Sequence, residues 1–381
     1  MRQTSQVVFD GNVEKVRDTS LELLRIVLMY VIIAHHLVTN SGIRGFYNFD
    51  SSPFNTMFLE LWGMWGKTAV NVFVLISGYF MCMSKLTWQR VLKLWLEIKL
   101  YRIAIYIIFL FAGYEVFSVS SIFKVIFNNI YNIENSFTAS FLCFYLFIPF
   151  YNFIIDRMEQ KQLLRLIGLL LLMYTVSSTI FFNGYVFNHV GWYMTLYFIA
   201  AYTRIYPTRW MQRKNFTGKA LLISVIASYV SVACLVFMRS RIGGWIESYF
   251  FMSDSHKLLA LVVSLFVFLW FRNLQLPHSK IINNIASTTF GVLLIHANSN
   301  AMQTFLWNDL LDVPSWFALP GWKLVLYAMI CPLIIFVVCA SIDAIRICVL
   351  EKPLFIWIRK NENSIDEMVK RIGDKLKGVL N

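Results

Sequence analysis

The first long apolar stretch, Leu21 to Asn40, holds two residues whose types and spacing could do chemistry. Arg25 and His36 stand eleven positions apart. At 100° per residue, eleven steps return to within about 20° of the starting direction, so on a helix both side chains share one face, roughly 16 Å apart along the axis. His35 points elsewhere. A neutral imidazole can take a proton from a hydroxyl as general base or carry a group as nucleophile, and spacing does not choose between the two. An unperturbed histidine supplies that neutral ring near pH 7. An arginine inside a membrane span costs about 2.5–3.5 kcal/mol on insertion scales, so it faces a bundle interior or a wet cavity. The plainer reading seats Arg25 at the membrane boundary and pairs it with Glu22. The matching face of His36 favours a shared polar channel instead.

A second dense patch runs Lys85-Leu86-Thr87-Trp88-Gln89-Arg90-Val91-Leu92-Lys93. Arg90 and Lys93 are neighbours on one helical face and could grip phosphates by charge and fork geometry. Ordinary positive decoration of a cytosolic loop accounts for them more readily than that. His296 ends the run Gly291-Val292-Leu293-Leu294-Ile295-His296, and His189 opens His189-Val190-Gly191-Trp192-Tyr193. A single membrane histidine often only hydrogen-bonds a neighbouring helix, so His296 is a supporting candidate and His189 a less specific one. Asp343 and Arg346, three apart, read as a structural pair.

These residues need elements to hold them, and composition says which. Of 381 residues 58% are hydrophobic and 14% charged, with a mean hydropathy of +0.61. Soluble domains carry roughly 45–50% apolar and about 25% charged residues. A water-soluble globule is excluded, because the charge present could not cover the surface left after core burial. The net charge of +13 falls between long apolar runs, which reads as membrane topology and not as nucleic-acid binding. Cys82, Cys143, Cys234, Cys331, Cys339 and Cys348 show neither a CxxC pair nor ligand spacing, so neither a disulfide nor a metal is expected.

A span needs about 20 mostly apolar residues to cross roughly 30 Å, and a helix satisfies every backbone group on the way. Ten such segments can be drawn, at 21–40, 63–83, 94–115, 136–156, 163–182, 186–206, 217–238, 256–272, 284–305 and 322–348. A tight hairpin at 183–185 joins the fifth and sixth. Residues 1–18 contain Asp10, Glu14, Lys15, Arg17 and Asp18 and lack an apolar core, so no signal peptide is expected. With the N-terminus inside, positive charge gathers on the cytosolic segments: Lys85 to Lys93, Arg157 to Arg165, Arg204 to Lys219 and Arg272 to Lys280. The expectation is an all-α, polytopic bundle of about ten transmembrane helices in the cell membrane, with both termini cytosolic. Its parts are a cytosolic tail at 1–20, a transmembrane unit at 21–348 and a basic amphipathic tail at 349–381. In that tail Ile365, Met368, Val369, Ile372, Leu376 and Val379 recur at helical spacing among Lys370, Arg371, Lys375 and Lys377, a pattern suited to a membrane surface. Nothing in the chain sets an oligomeric state.

The ordered set of motifs resembles the acyltransferase-3 membrane acyltransferases, most of all the branch that O-acetylates bacterial surface polysaccharides. It comprises Arg25-x10-His36, Asn71-Val72-Phe73-Val74-Leu75-Ile76-Ser77-Gly78-Tyr79-Phe80, Arg90-x-x-Lys93, Pro149-Phe150-Tyr151-Asn152, Gly191-Trp192-Tyr193 with Tyr197 to Tyr202, and Ser287 to His296. The resemblance covers about residues 20–350. It implies His36 as the acyl-transfer residue, with Arg25 and the Arg90/Lys93 patch associated with acyl-CoA. His35, His296 and Ser77 are possible supporting residues. It further implies acetyl-CoA as donor and co-substrate, a carbohydrate acceptor and a lipid bilayer as partners, with no metal and no nucleic acid. The chain departs from the family pattern at the patch, which is usually richer in Arg, at Asn135-Ser136, where an aromatic pair is common, and at Ala297, where an Asp is expected.

Two other classes fit a multi-span chain. A secondary transporter could use buried Arg and His, but inverted repeats and paired Gly- or Pro-broken spans are not visible, and Glu97 is the main buried acid. A polymerase or lipid-linked glycosyltransferase would be expected to carry a large outer loop with catalytic acids, and Asp50 and Glu60 are not obviously paired.

Overall fold

The computed structural model describes residues 17–131, 136–181, 187–242 and 247–361. Lys15, Asn135, the 183–185 hairpin and the amphipathic run from Asn363 lie outside the described residues. Helix dominates and no strand occurs among the described residues. In chain order the helices are α1 Thr19–Asn40, α2 Pro53–Gly63, α3 Gly66–Met81, α4 Trp88–Phe111, α5 Val119–Tyr131 and α6 Phe137–Arg157. Then come α7 Gln160–Leu171, a π-helical turn and α8 Ser177–Ile180, followed by α9 His189–Ile205, α10 Lys214–Ile242 and α11 Leu258–Arg272. The last are α12 Lys280–Ser287, α13 Thr289–His296, α14 Asn300–Gln303, α15 Gly321–Arg346 and α16 Lys352–Lys360. Among the described residues five stretches are long and apolar enough to cross a membrane: Thr19–Asn40, Phe137–Arg157, Gln160–Ile180, Lys214–Ile242 and Gly321–Ile358.

Helix α1 is the axis of the bundle. Asp18 caps its start, the carboxylate accepting from the backbone N–H of Ser20 at 3.0 Å. Leu21, Leu24, Ile33 and Leu37 are sealed from solvent where α1 packs on α2, α3, α12, α13 and α15. Helix α3 packs on α1, α9 and α11. The rim helices show the opposite pattern. Leu222, Ile223, Ile226 and Val230 on α10, and Leu333, Ile334, Val337 and Val338 on α15, are exposed, each more than half. Apolar belts of that extent on a folded chain suit lipid and not water. The all-α membrane bundle required by the composition is therefore the fold.

Two of the expected spans are not simple rods. The stretch read as 63–83 is a broken unit, α2 followed by α3, with the break at Gly63 to Gly66. Both glycines stand where α1 presses in: a Cβ on Gly63 would lie 2.6 Å from Val38 Cγ1, and one on Gly66 would lie 2.2 Å from His35 Cγ. The stretch read as 284–305 breaks into α12, α13 and α14. Ser287, Thr288 and Thr289 each turn their hydroxyl back to a carbonyl three residues earlier, which competes with the helix ladder at the α12–α13 joint. Ser299 then caps α14. Helix α5, in what reads as a loop between the third and fourth segments, was not expected either.

Below the middle of the bundle a charged knot ties α4 to α15, with α13 packed against it. Arg346 donates to Asp343 at 2.6 Å, to Glu97 at 3.0 Å and to Glu351 at 2.8 Å, and the Tyr101 hydroxyl donates to Asp343 at 2.7 Å. The Asp343–Arg346 pair read from the sequence is thus present, and Glu97, the buried acid that could have served ion coupling, is a partner in it. Gly291 of α13 makes room for this knot, since a Cβ there would sit 2.1 Å from Asp343 Cγ. Gly291→Ala is expected to force Asp343 off its partners and destabilise the bundle by about 1–3 kcal/mol, the cost of overpacking a filled core. A thermal melt of the purified protein in detergent checks this, and an unchanged midpoint would contradict it.

Candidate active site

The break in the predicted ninth span places the C-terminus of α13 against α1 near the end at which α1 finishes, here the upper end. His36 Nδ1 lies 3.0 Å from His296 Nε2, with the rings 5.2 Å apart. His296 is sealed from solvent, and its Nδ1 lies 2.6 Å from the Val292 carbonyl of its own helix. A carbonyl only accepts, so His296 Nδ1 carries the proton. In a neutral ring its Nε2 is then a lone-pair acceptor, and His36 Nδ1–H donates to it. The tautomer of His36 follows: its Nε2 holds a free lone pair. That atom has no protein partner among the described residues, while the ring itself is half-buried. A backbone carbonyl, an orienting histidine and a second histidine with an open nitrogen reproduce the logic by which a carboxylate orients the base of a hydrolytic triad.

Arg25 lies three turns below His36 on α1. Among the described residues it makes no ion pair within 4.0 Å, not even with Glu22, and its Nε is buried without a hydrogen-bond partner. One Glu22 carboxylate oxygen is likewise buried and unbonded. The boundary pairing weighed against a functional role is therefore not formed. An unpaired guanidinium in the wall of a bundle is costly to keep, and it suits a ligand that brings its own acceptors.

The remaining candidates separate. His35 turns to the α2–α3 break, its Nδ1 2.5 Å from the Gly63 carbonyl, so it braces that break beside His36. Ser77 donates its hydroxyl to the Phe73 carbonyl at 2.8 Å, a bond within its own helix. Arg90 is exposed and donates to Ser84 and to the Lys85 carbonyl, in the turn that precedes α4. Lys93 is exposed too, but its ammonium is held at 2.5 Å by Glu351, which links the patch to Arg346 and the charged knot. The sequence gives no sign of the pairing of residue 93 with residue 351, nor of the pairing of 36 with 296. Both depend on how distant helices pack.

The comparisons with known proteins bear on the whole of this arrangement. The model of the acyltransferase-3 family, described as an acyltransferase domain, matches residues 18–344. No curated protein and no solved structure matches the chain.

Proposed function

The chain belongs to the acyltransferase-3 family and is a membrane acyltransferase, and we propose that it moves an acetyl group from cytosolic acetyl-CoA to a hydroxyl of a cell-surface polysaccharide or its lipid-linked precursor. The observation that carries this reading is the His36–His296 pair, which leaves one imidazole nitrogen open as a base on the polar face of α1. Acetyl-CoA arrives from the cytosol with an anionic nucleotide, and the Arg90/Lys93 patch lies at the opposite end of the bundle from His36. The phosphates rest there on Arg90, with Lys93 shared between them and Glu351. The pantetheine arm runs along α1 past Arg25, which orients it, and brings the thioester to His36.

In the reaction the acceptor hydroxyl gives its proton to His36 Nε2 while its oxygen attacks the thioester carbonyl. Collapse of the tetrahedral intermediate breaks the C–S bond, and the imidazolium returns the proton to the leaving thiolate, so CoA departs as the thiol. In a covalent route His36 Nε2 itself attacks the thioester carbonyl and the C–S bond breaks to release the thiolate; the acceptor oxygen then attacks the acyl-imidazole, the N–C bond breaks, and the acceptor's proton goes to the thiolate. The broken helices fit this chemistry, because irregular backbone at membrane depth is tolerated where it lines a wet cavity.

Purified protein in vesicles, given radiolabelled acetyl-CoA with and without a candidate glycan, tests the proposal. Label is expected on the glycan, with release of free CoA. Neither hydrolysis nor transfer with any glycan would overturn it. For the donor site, Arg90→Ala is expected to weaken acetyl-CoA binding about five- to tenfold, and more at high salt, because exposed phosphate contacts are modest and screened. Equilibrium binding of labelled acetyl-CoA reads this, and unchanged affinity would return Arg90 to a topological role.

A further inference from the structure

A second set of polar groups gathers beside the α2–α3 break, where Gly66 of α3 meets His35 of α1. Asn71 of α3 fixes it. Its amide donates to the Ser255 carbonyl at 2.6 Å, while its carbonyl oxygen accepts from Trp192 Nε1–H of α9 at 2.9 Å. The Ser264 hydroxyl donates to the Thr68 carbonyl at 3.1 Å. These bonds pull the segment before α11 down between α3 and α9. His256 follows Ser255 into the bundle, stacked on Phe187 at 4.1 Å and edge-on to Trp192 at 6.3 Å. It is 4% exposed, and its Nδ1 has no hydrogen-bond partner.

Lys67 stands one helical turn above Asn71 on the same side of α3. It is half-buried and within electrostatic reach of His35, His36 and His256. Its condition differs from that of two other cations near these histidines. Arg44 is paired with Glu60 at 3.4 Å and lies over the Tyr249 ring. Lys257 donates to the Ser178 carbonyl at 2.7 Å and lies over the Phe250 ring. Lys67 has no ion pair, hydrogen bond or ring contact among the described residues. Of the acids nearby, Asp254 acts on His256 and Lys257 and Glu247 on Lys257, and neither forms an ion pair with Lys67. Lys67 is also the second residue of α3, so the positive end of that helix adds to its charge.

Building on the acetyltransferase reading, we propose that Lys67 and His256 form an anion subsite for the acceptor, which therefore carries a carboxylate or a phosphate close to the hydroxyl that is acetylated. A half-buried ammonium without a counter-charge is expensive unless a ligand provides one, and a carboxylate or phosphate oxygen would accept from Lys67 Nζ and from His256 Nδ1–H, in the tautomer that carries its proton there. The donor's phosphates do not reach this place, because the donor enters from the Arg90 end. The two sources of such an anion are a uronate within the sugar and the pyrophosphate of a lipid carrier.

The test measures transfer of labelled acetyl to two matched pairs of acceptors. One pair is a uronate-containing oligosaccharide and its carboxyl-reduced form. The other is a polyprenyl-pyrophosphate-linked neutral saccharide and the same saccharide free. The wild-type protein is expected to favour the anionic member of one pair by about tenfold or more in kcat/KM, and less as salt is raised. Preference in the first pair identifies a carboxylate, and in the second a phosphate. Lys67→Gln is expected to bring that ratio close to one by raising KM for the anionic acceptor, and Lys67→Arg to keep it. Turnover by the wild type without preference in either pair overturns the subsite alone. A fall in kcat shared by both members of a pair, with KM unchanged, would put Lys67 at the reacting carbonyl and overturn it too. Absence of acetyl turnover with all four acceptors would sink the acetyltransferase reading along with it.

Discussion

His36→Ala is expected to lower acetyl transfer by about 10²–10⁴-fold, the range that a positioned general base supplies, with the protein still inserted and recovered from membranes in normal amount. His36 lies in the half-buried polar face of α1, and among the described residues its side chain has one hydrogen-bond contact, with His296, so its loss removes little packing. Acceptor-dependent transfer and acceptor-free hydrolysis of acetyl-CoA should fall together, because each needs a base for the attacking oxygen. Were His36 an acyl carrier, the same variant would also lose the labelled acyl-enzyme seen in a rapid quench without acceptor. Normal glycan acetylation by His36→Ala would refute both roles. The effect should appear in kcat far more than in the KM for acetyl-CoA, since the proposed donor site holds the nucleotide at the other end of the bundle.

Much of this was legible in the residues. The composition required a membrane bundle, and α1, expected from residue 21, begins at Thr19, because the apolar stretch from Leu21 to Asn40 is long enough to span; its Asp18 cap is seen only in the structure. The shared face of Arg25 and His36 needed only the helical period. What local pattern could not show were the partners. Whether Arg25 would find Glu22 depended on rotamer and packing, and in the structure it does not. Lys93 looked free for phosphate, yet a residue 258 positions later neutralises it. The breaks at Gly63 to Gly66 and at Ala297 to Ser299 were hidden by hydropathy, which scores a bent apolar segment and a straight one alike. Glycine spacing was the available signal for the first, and the run Ser287-Thr288-Thr289 for the joint between α12 and α13. One lysine near the start of an apolar run, as Lys67 is, reads as a span boundary. Only the fold shows that the break in front of it lies beside the histidines of α1.

The role of His296 yields the second large effect. It is sealed in the bundle and does not present a free nitrogen to a substrate: Nδ1–H is spent on the Val292 carbonyl and Nε2 on His36. Its contribution is therefore to position, by holding His36 in the tautomer whose Nε2 is free and by fixing the plane of the ring. His296→Phe keeps the volume and removes the acceptor, so His36 can turn or take the other tautomer. In triad enzymes an orienting group of the wrong kind costs about 10⁴ in kcat, and a loss of about 10²–10⁴ is expected here, expressed in kcat with KM for acetyl-CoA little changed. A merely structural histidine would be indifferent to which polar residue replaced it. His296→Gln, whose amide oxygen can accept from His36 Nδ1–H, is expected to recover activity to within about tenfold of wild type. His296→Leu, with no acceptor, should resemble His296→Phe. If the Gln, Phe and Leu variants fall equally, or if Phe retains full activity at normal yield, the His296-to-His36 hydrogen bond does not set the base, and the tautomer argument built on Val292 fails with it.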